Sequence, residues 1–355
     1  MNHIELFSGV GGFRKAMDYI SNDLDINIDT VAFSEIDKKA TDTYCANFNT
    51  DGELVMGDIV NFVKDEHEMD NLPQFDLLSG GFPCQTFSVM GGQAGFEEYR
   101  GQMFFRIMDI VNRCHPNFIL LENVKNLVKH DKGHTMRVIL EELDRADYYA
   151  HFDIFNSTDF GLPQRRSRVV VFARRKHFGD FVFDAQHVIA SFQEIDRARC
   201  SLNFYDSVLG ILDRHVEGKY YLSDRIKPTI LSDGSANFKA NSDIDQVIAR
   251  TLTASMHKMH RACQDNYYSD RFIQSNGEGR PSTYMTKEEL AGLPIRKLTP
   301  KEAFMLQGFP EDFSANASEA NVADGSQYKQ AGNAVSVNTI YAVMNYLVTN
   351  HLIYE

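Results

Sequence analysis

The sequence predicts an α/β fold: a doubly wound sheet in the first half, followed by a smaller, loop-rich domain inserted into it. Three observations favour this class. Short apolar runs alternate with helix-period stretches up to about residue 180, a glycine-rich turn follows the first run, and the alternation then fades into segments rich in Gly, Asp, Ser and Tyr. Such alternation is typical of a parallel sheet with crossover helices. A helical pattern returns at 301–307 and 334–348, so we expect the C-terminus to rejoin the first domain.

Each predicted strand is a short apolar run that ends in polar residues. The strands are expected at 4–7, 31–33, 75–78, 118–121 and 169–172. After the first strand, Phe13, Ala16, Met17 and Ile20 recur at the spacing of one helix face. The stretch 136–143 is amphipathic in the same way. The order of these elements predicts strand and helix in alternation.

The composition excludes several classes of protein. A chain of 355 residues is long enough for two domains, and its hydrophobic fraction of 43% is ordinary for a globular protein. No apolar run is long enough to span a membrane, and the first residues lack the features of a secretory signal. Five cysteines without a C-x-x-C pair disfavour both a disulfide framework and a zinc site. We therefore expect a reduced, cytoplasmic protein without a metal.

The charge is unevenly distributed. The net charge of −13 speaks against a polyanionic partner, yet residues 181–300 carry 15 Lys and Arg against 15 Asp and Glu. Basic strips also lie at 165–176 and 246–261. Local strips rather than the total charge meet phosphates, so a nucleic-acid partner stays open.

The first motif is the glycine-rich turn Phe7-Ser8-Gly9-Val10-Gly11-Gly12, between a strand and a helix. Glycines let the backbone approach a ligand, and the helix N-terminus offers free N–H groups. Glu35, at the end of the second strand, is suited to ribose hydroxyls, and Asp58 to an adenine amino group. Taken alone, the turn suits NAD, FAD or S-adenosylmethionine, or serves only as a tight turn.

Three further motifs follow strands. Cys84 stands in the loop Gly80-Gly81-Phe82-Pro83-Cys84-Gln85 and is either a nucleophile or a small buried side chain. Glu122 ends the next strand and is either an acid acting on a heteroaromatic ring or a helix cap. Arg166 and Arg168 point to one face if their stretch is extended, where they would depress the pKa of a thiol or bind a phosphate; otherwise they form a solvated basic edge.

The last motif is Gln330-Ala331-Gly332-Asn333-Ala334-Val335. We expect it to open the C-terminal helix, with Asn333 closing a cofactor pocket or capping the helix.

In combination these strings closely resemble the cytosine-C5 DNA methyltransferase family, of the bacterial type II kind. The resemblance covers 1–176 and 296–350. The matching strings are F-S-G-x-G-G, G-G-F-P-C-Q-x-F-S, E-N-V, Q-R-R-S-R, R-K-L-T-P-x-E, Q-G-F-P and Y-K-Q-A-G-N-A-V. The resemblance implies a Rossmann-like class I methyltransferase domain that uses S-adenosylmethionine, releases S-adenosylhomocysteine and needs no metal.

The resemblance also assigns residues. It makes Cys84 the nucleophile, Glu122 the acid, and Arg166 and Arg168 the active-site arginines. The positions that fall at the cofactor are Phe7, Gly9, Gly11, Gly12, Glu35, Ile36, Asp58, Ile59, Pro83, Met103, Asn333, Ala334 and Val335. Two departures stand out: Glu5 replaces a common Asp, and Ile36 replaces an aromatic residue that often stacks on adenine.

The resemblance further implies three regions: a catalytic domain at 1–184, a target-recognition domain at 185–295, and a hinge with the C-terminal helix at 296–355. The stretch Arg250-Thr251-Leu252-Thr253-Ala254 resembles the family's Thr-containing recognition signature. The residues expected to contact DNA are Gln85, Ser88, Arg100, Arg165, Arg250, Thr251, Thr253, Lys258 and Arg261.

The activity so implied is methylation of C5 of a cytosine flipped out of a short duplex DNA sequence, through a covalent bond from Cys84 to C6. The expected partner is double-stranded DNA, and no association with a membrane is expected. The protein is expected to be a monomer in the bacterial cytoplasm, associated with the nucleoid when it is bound to DNA. A restriction endonuclease acting separately is a further candidate partner.

The alternative function is that of a tRNA cytosine-C5 methyltransferase; the Cys-Phe-Thr element of that enzyme does not occur in this chain. A nicotinamide oxidoreductase or an inactive binding protein would leave Cys84, Glu122 and the arginines unexplained.

Overall fold

The computed structural model describes residues 1–83, 103–235, 238–239, 242–278 and 280–353. The chain divides into two compact units. Unit 1 comprises Met1–Asn156, Ser167–Leu202 and Thr339–Glu355, and unit 2 comprises Ser157–Arg166 and Asn203–Asn338. The assignment of 185–295 to target recognition stays a prediction, because compactness does not reveal what a unit binds.

The strands of the described ranges are short in unit 2 and longer in unit 1. They are β1 (Asn2–Leu6), β2 (Asp29–Ser34), β3 (Leu54–Val55), β4 (Leu77–Gly80), β5 (Phe118–Val124), β6 (Tyr148–Asn156), β7 (Gln164–Arg165), β8 (Ser167–Arg175), β9 (Gly234–Ser235), β10 (Phe238–Lys239), β11 (Ala249–Arg250), β12 (Tyr267–Ser269) and β13 (Ile295–Lys297).

The helices of the same ranges include several of a single turn. They are α1 (Gly12–Leu24), α2 (Lys38–Asn47), α3 (Ile59–Phe62), α4 (Glu66–Asp70), α5 (Met103–Cys114), α6 (His134–Arg145), α7 (Ala185–Gln193), α8 (Lys227–Ile230), α9 (Asp270–Gln274), α10 (Lys287–Ala291), α11 (Pro300–Met305), α12 (Phe313–Glu319), α13 (Asp324–Asn333) and α14 (Val337–Thr349).

Unit 1 is built on a sheet whose described strands run in the order β3-β2-β1-β4-β5-β8-β6. The first five are parallel, and β8 is antiparallel to both β5 and β6. The predicted α/β class is confirmed, but a parallel direction for the strand at 169–172 is wrong, and β6 was not predicted. A short connection from Asn156 to Ser167 returns the chain beside β6, and short connections produce antiparallel pairs.

The core of unit 1 consists of residues from the sheet and the helices packed on it. The helix face predicted after the first strand is confirmed, because Phe13, Ala16, Met17 and Ile20 are all buried in α1. Within the sheet, the buried His3 ring makes hydrogen bonds to Thr30 Oγ1 (2.9 Å) and Ser79 Oγ (2.7 Å), which link β1 to both neighbouring strands. Burial lowers the pKa of His3 to about 3, so the ring is neutral.

Unit 2 has its own small core around Ile230, Tyr267 and Ile295. Its two-stranded sheets pair β7 with β11 in parallel, and β12 with β13 and β9 with β10 in antiparallel fashion. No helix in the described part of the chain is long and apolar enough to cross a membrane.

A buried ion pair joins β13 to α11. Arg296 Nη1 and Nη2 donate to Glu302 Oε2 and Oε1 at 2.8 and 2.7 Å, and both side chains are almost wholly buried. Glu302 also accepts a bond from the Thr299 N–H and completes a capping box at the start of α11. The pair therefore fixes the entry of the chain into this helix.

We expect Glu302→Gln to lower the free energy of unfolding by about 3–5 kcal/mol, because Arg296 would be left as a buried charge without its counter-ion. Urea denaturation followed by circular dichroism measures this. The exposed pair of Lys38 and Asp42 provides the control, since Lys38→Ala should cost less than about 1 kcal/mol. Equal losses in the two variants would contradict this account of the buried pair.

Candidate active site

The glycine-rich turn after β1 has backbone conformations that favour glycine. Phe7, Gly9 and Gly11 have φ values of 53°, 55° and 83°. A Cβ atom at Gly11 would collide with the rings of Phe48 and Tyr44, whereas one at Gly9 would meet no atom within 4 Å. Gly11 is thus required by packing, and Gly9 leaves open space above the turn.

The carboxylate of Glu35 is held against this turn. Its Oε2 accepts the Gly9 N–H at 2.8 Å, and its Oε1 accepts the Asp37 N–H at 2.7 Å. The next side chain, Ile36, is 77% exposed, the highest value among the exposed large apolar residues of the described chain. A fixed carboxylate beside an exposed apolar surface suits a ligand with both hydroxyl groups and a flat ring.

Asp58 follows the third strand and caps α3. Its side chain accepts the Val60 N–H and the Asn61 side-chain amide, both at 2.9 Å, and Ile59 behind it is buried. The structure therefore places Asp58 in a helix cap at the same edge of the sheet as Glu35, where β2 and β3 end.

Glu122 lies within β5 and is 8% exposed. The Nε atom of Arg168, on β8, is 2.9 Å from its Oε1. Arg168 is the register partner of Val124, which is two residues from Glu122 and therefore on the same face of the sheet. Glu122, predicted to act on a ring, and Arg168, predicted as an active-site arginine, are thus brought together by the antiparallel pairing of two strands.

The adjacent Asn123 ties this strand to the loop that precedes Cys84. Its side-chain amide donates to the Phe82 carbonyl at 2.8 Å. Pro83 is exposed, and Met103 begins α5 with its side chain partly buried against the core. Cys84, Gln85, Ser88 and Arg100 lie outside the described residues.

Arg166 has surroundings different from those of Arg168. It belongs to unit 2, is 2% exposed, and donates to the carbonyls of Leu252, Gly332 and Ala334. Arg168 belongs to unit 1 and forms an ion pair with Glu122. The two guanidiniums were expected to share one face if their stretch is continuously extended, and this condition is not met, because Arg166 lies between β7 and β8 and outside both.

The segment predicted to open the C-terminal helix instead ends a helix. Asn333 is the last residue of α13, Ala334 is its C-cap, and α14 begins only at Val337. The prediction that the motif 330–335 opens the C-terminal helix is wrong, because residues 330–333 end α13 and the next helix begins only at Val337.

The predicted DNA contacts in unit 2 are mostly bonded internally. Arg250 donates to the carbonyls of Asp243 and Asp265, and Thr251 donates to the Arg165 carbonyl. Arg261 donates to Thr253 Oγ1, Ser255 Oγ and Asp265 Oδ1. The exposed cationic side chains among the predicted contacts of this unit are Arg165 and Lys258.

Two residues that carry this arrangement were not among the predicted site residues. Gln164 accepts the Leu252 N–H at 3.0 Å, and Gly332 packs directly on the main chain of Thr253 and Ala254. Both stand inside strings singled out by the motifs, but a hydrogen bond across 88 positions leaves no local signal in a sequence.

Residues 1–349 match the C-5 cytosine-specific DNA methylase family. The chain belongs to this family. The resemblance inferred from the motifs is thereby confirmed.

Several proteins are similar to this methylase. It is 36% identical over 345 residues to the type II methyltransferase M1.ScrFI of Lactococcus lactis subsp. cremoris, covering 96% of this chain and 76% of that protein. It is 34% identical over 340 residues to the type II methyltransferase M.NlaX of Neisseria lactamica, covering 96% and 94%. The crystal structure of S. pombe Dnmt2 methyltransferase superposes with a TM-score of 0.73 at 21% identity, covering 99% of each chain, and this likeness shows the fold alone.

Membership of this family implies S-adenosylmethionine as the methyl donor. The side chains at the edge of the sheet fit such a molecule: Glu35 suits the ribose, Ile36 offers an apolar surface, and the space above Gly9 is open. Within the described ranges, no group of three or more His, Cys, Asp or Glu side chains is placed to hold a metal ion.

One buried carboxyl of the methylase, that of Glu5, has a pKa above its ordinary value. Glu5 is 1% exposed; its Oε2 accepts the Arg14 N–H, and its Oε1 has no hydrogen-bond partner among the described residues. Burial raises the pKa of Glu5 to about 8, against the opposing effect of the Arg14 guanidinium. The sequence showed Glu5 in place of a common Asp, and the longer side chain lies wholly within the unit.

We expect Glu35→Ala to weaken binding of S-adenosylmethionine by about 1.5–3 kcal/mol, the range for hydrogen bonds to a charged group. Isothermal titration calorimetry measures the affinity, with Asp42→Ala as the control, because this exposed carboxylate lies on α2 and pairs with lysines. Unchanged affinity in a folded Glu35→Ala protein would remove Glu35 from the cofactor site.

We expect Glu5 to make the protein less stable as the pH rises. Its folded-state pKa, about 8, lies above its ordinary value of 4.5, so its contribution is full at low pH and is lost as the pH rises towards 8. Glu5→Gln cannot ionise. The free energy of unfolding in urea, measured as the pH rises from about 4.5 to about 8, should therefore increase for Glu5→Gln relative to the original chain. A difference between the two proteins that stays constant with pH would contradict the raised pKa.

Proposed function

We propose that the protein transfers a methyl group from S-adenosylmethionine to C5 of a cytosine flipped out of a specific short sequence in duplex DNA. The observation that carries this proposal is the buried pair of Glu122 and Arg168, which belongs to a chain of the cytosine C5 family. Target reading is assigned to the region 185–295, most of which lies in unit 2.

The first chemical step is assigned to Cys84. C5 of cytosine is a weak nucleophile, so the Cys84 thiolate adds to C6 and forms an S–C6 bond. The electrons of the C5–C6 double bond form a C4–C5 double bond, and those of the C4–N3 double bond move onto N3, which makes C5 the nucleophilic carbon of an enamine. Glu122 holds a proton at N3 and offsets the negative charge that develops there.

Arg168 and Asn123 prepare the site for this step. The Arg168 guanidinium fixes the orientation of the Glu122 carboxyl through Nε. Asn123 holds the Phe82 carbonyl and thereby the start of the loop that carries Cys84. Both act before the reaction, so the acid is already oriented when the ring arrives.

S-adenosylmethionine, when bound, would supply an electrophilic methyl group: C5 of the enamine would form the C5–CH3 bond as the methyl–sulfur bond breaks, with S-adenosylhomocysteine as the product. Glu35, Ile36 and Asp58 are the residues that would hold it. A base then removes the proton from C5, the C5–C6 double bond forms again, and the S–C6 bond breaks, which releases Cys84 as the thiolate.

Duplex geometry requires the base to leave the helix. C5 and C6 of a stacked cytosine are not accessible to a thiolate on one face and a methyl donor on the other, and enzymes that act on a base extrude it at a cost of a few kcal/mol. A restriction endonuclease that reads the same sequence would act as a separate protein.

The substrate is tested by transfer of tritium from labelled S-adenosylmethionine. We expect label in duplex DNA and none in tRNA or in a mixture without nucleic acid. Labelling of tRNA with none in duplex DNA would contradict the proposal and favour the tRNA alternative.

The covalent step is tested with duplex DNA that carries 5-fluorocytosine. Fluorine cannot leave C5 as F⁺, so the adduct should persist as a band that survives denaturing electrophoresis and requires S-adenosylmethionine. Cys84→Ser should abolish the band because a hydroxyl supplies almost no oxyanion at neutral pH, whereas Cys45→Ser, at an exposed cysteine, should keep it. An adduct that forms normally with Ser at position 84 would overturn the mechanism.

A further inference from the structure

Both main-chain polar groups of Leu252 are held by side chains of one short segment. The Leu252 N–H donates to Gln164 Oε1 at 3.0 Å, and its carbonyl accepts from Arg166 Nη1 at 3.3 Å. All three residues are buried. Leu252 lies in the middle of the Arg250–Ala254 stretch that the sequence assigned to target recognition.

The same guanidinium holds a second segment. Arg166 Nη2 donates to the Ala334 carbonyl at 2.7 Å and to the Gly332 carbonyl at 3.3 Å. A planar fork with several donors can serve acceptors on two segments, whereas the ammonium of a lysine presents a compact point charge.

The two held segments are also in direct main-chain contact. A Cβ atom at Gly332 would lie 2.3 Å from the Thr253 carbonyl carbon and 2.4 Å from the Ala254 nitrogen, so only glycine fits there. The main chain around Leu252 is therefore fixed from two sides, by the Gln164 and Arg166 side chains and by the end of α13.

The turn that follows this fixed base carries exposed side chains. Arg261 donates to Thr253 Oγ1 at 2.6 Å and to Ser255 Oγ at 3.0 Å, which closes residues 253–261 into a braced turn. Within this turn Lys258 is exposed, and Met259 is 64% exposed. An exposed cation on a braced turn is suited to a phosphate, and an exposed apolar side chain beside it is suited to base edges or steps.

We propose that Gln164 and Arg166 are positioning residues for target reading: through Leu252 they hold the turn 253–261 in the one arrangement that discriminates between DNA sequences. Arg166 acts through its hydrogen bonds to carbonyls, and its charge does not activate the Cys84 thiol. This inference rests on the proposed methylation of DNA.

The variants that test this inference keep the charge or polarity of the side chain but cannot make the same hydrogen bonds to the main chain. Arg166→Lys retains the positive charge but not the fork, and Gln164→Asn retains the amide but shortens its reach. The measured quantity is the ratio of methylation rates at the target site and at sites that differ from it by one base pair. We expect each variant to lower this ratio about tenfold, because one mismatch is discriminated by interactions of that size. The pH profile at the target site should keep its shape.

Arg165→Lys is the matched control, because it makes the same chemical change at the exposed neighbouring position. If Arg165 contacts a phosphate, its replacement by lysine changes the rates at the target site and at the one-mismatch sites by the same factor, since phosphate contacts carry no sequence information. The ratio should then stay at the value of the unaltered chain.

The outcomes separate this inference from the proposed function. If the unaltered chain methylates no DNA, the proposed function fails and the inference falls with it. If it does methylate DNA, the inference alone is overturned when Arg166→Lys and Gln164→Asn leave the ratio of the two methylation rates unchanged. It is also overturned when the variants lower the rate at all sites and shift the acid limb of the pH–rate profile to higher pH. Thermal melting shows whether each variant folds. If Arg166→Lys does not fold, the result for Gln164→Asn decides. If neither variant folds, the two residues are needed for folding and the inference is wrong.

Discussion

Because β2, β1, β4 and β5 run parallel, their carboxyl ends meet at one edge of the sheet. The placement of most of the groups proposed for catalysis in unit 1 follows from this constraint, Arg168 on the antiparallel β8 being the exception. The glycine-rich turn leaves β1, Glu35 follows β2, the loop towards Cys84 leaves β4, and Glu122 lies near the end of β5. Ligands of open α/β sheets bind at such edges, so four separate stretches of sequence contribute to one site.

The antiparallel strand β8 adds what the parallel strands lack. It brings a cation, Arg168, to the same face of the sheet as Glu122. A buried carboxyl and a guanidinium are costly to desolvate unless their charges are paired, and here Arg168 Nε lies 2.9 Å from Glu122 Oε1 in an ion pair. The acid is thereby oriented on regular strands, where packing fixes it more closely than a loop would.

The arginines show how little a count of charges says about nucleic-acid binding. Arg166, Arg250 and Arg261 all lie in basic strips, yet each donates to acceptors within unit 2. Their role in the structure is to brace the turns of that unit. The electrostatic attraction to phosphates that we propose would come from side chains such as Lys258 and Arg165, which stay exposed beside them.

Periodicity and motif spacing were sufficient to predict the α/β class, the buried face of α1 and the positions of most sheet strands of unit 1. They failed where the outcome depends on contacts distant in sequence. β6 is mostly half-buried and has no clear apolar run, and the direction of β8 follows from a short return of the chain. The burial of Arg166 depends on carbonyls 86 to 168 positions away, which no local pattern encodes.

The central claim is that this chain methylates C5 of cytosine at one short sequence in DNA. Bisulfite sequencing of genomic DNA from cells that express the protein tests it most directly, with cells expressing Cys84→Ser as the reference. The account predicts protected cytosines at every copy of a single short sequence and none beyond background in the reference cells. Full conversion of cytosines in both samples, or protection that the Cys84→Ser protein also produces, would contradict it.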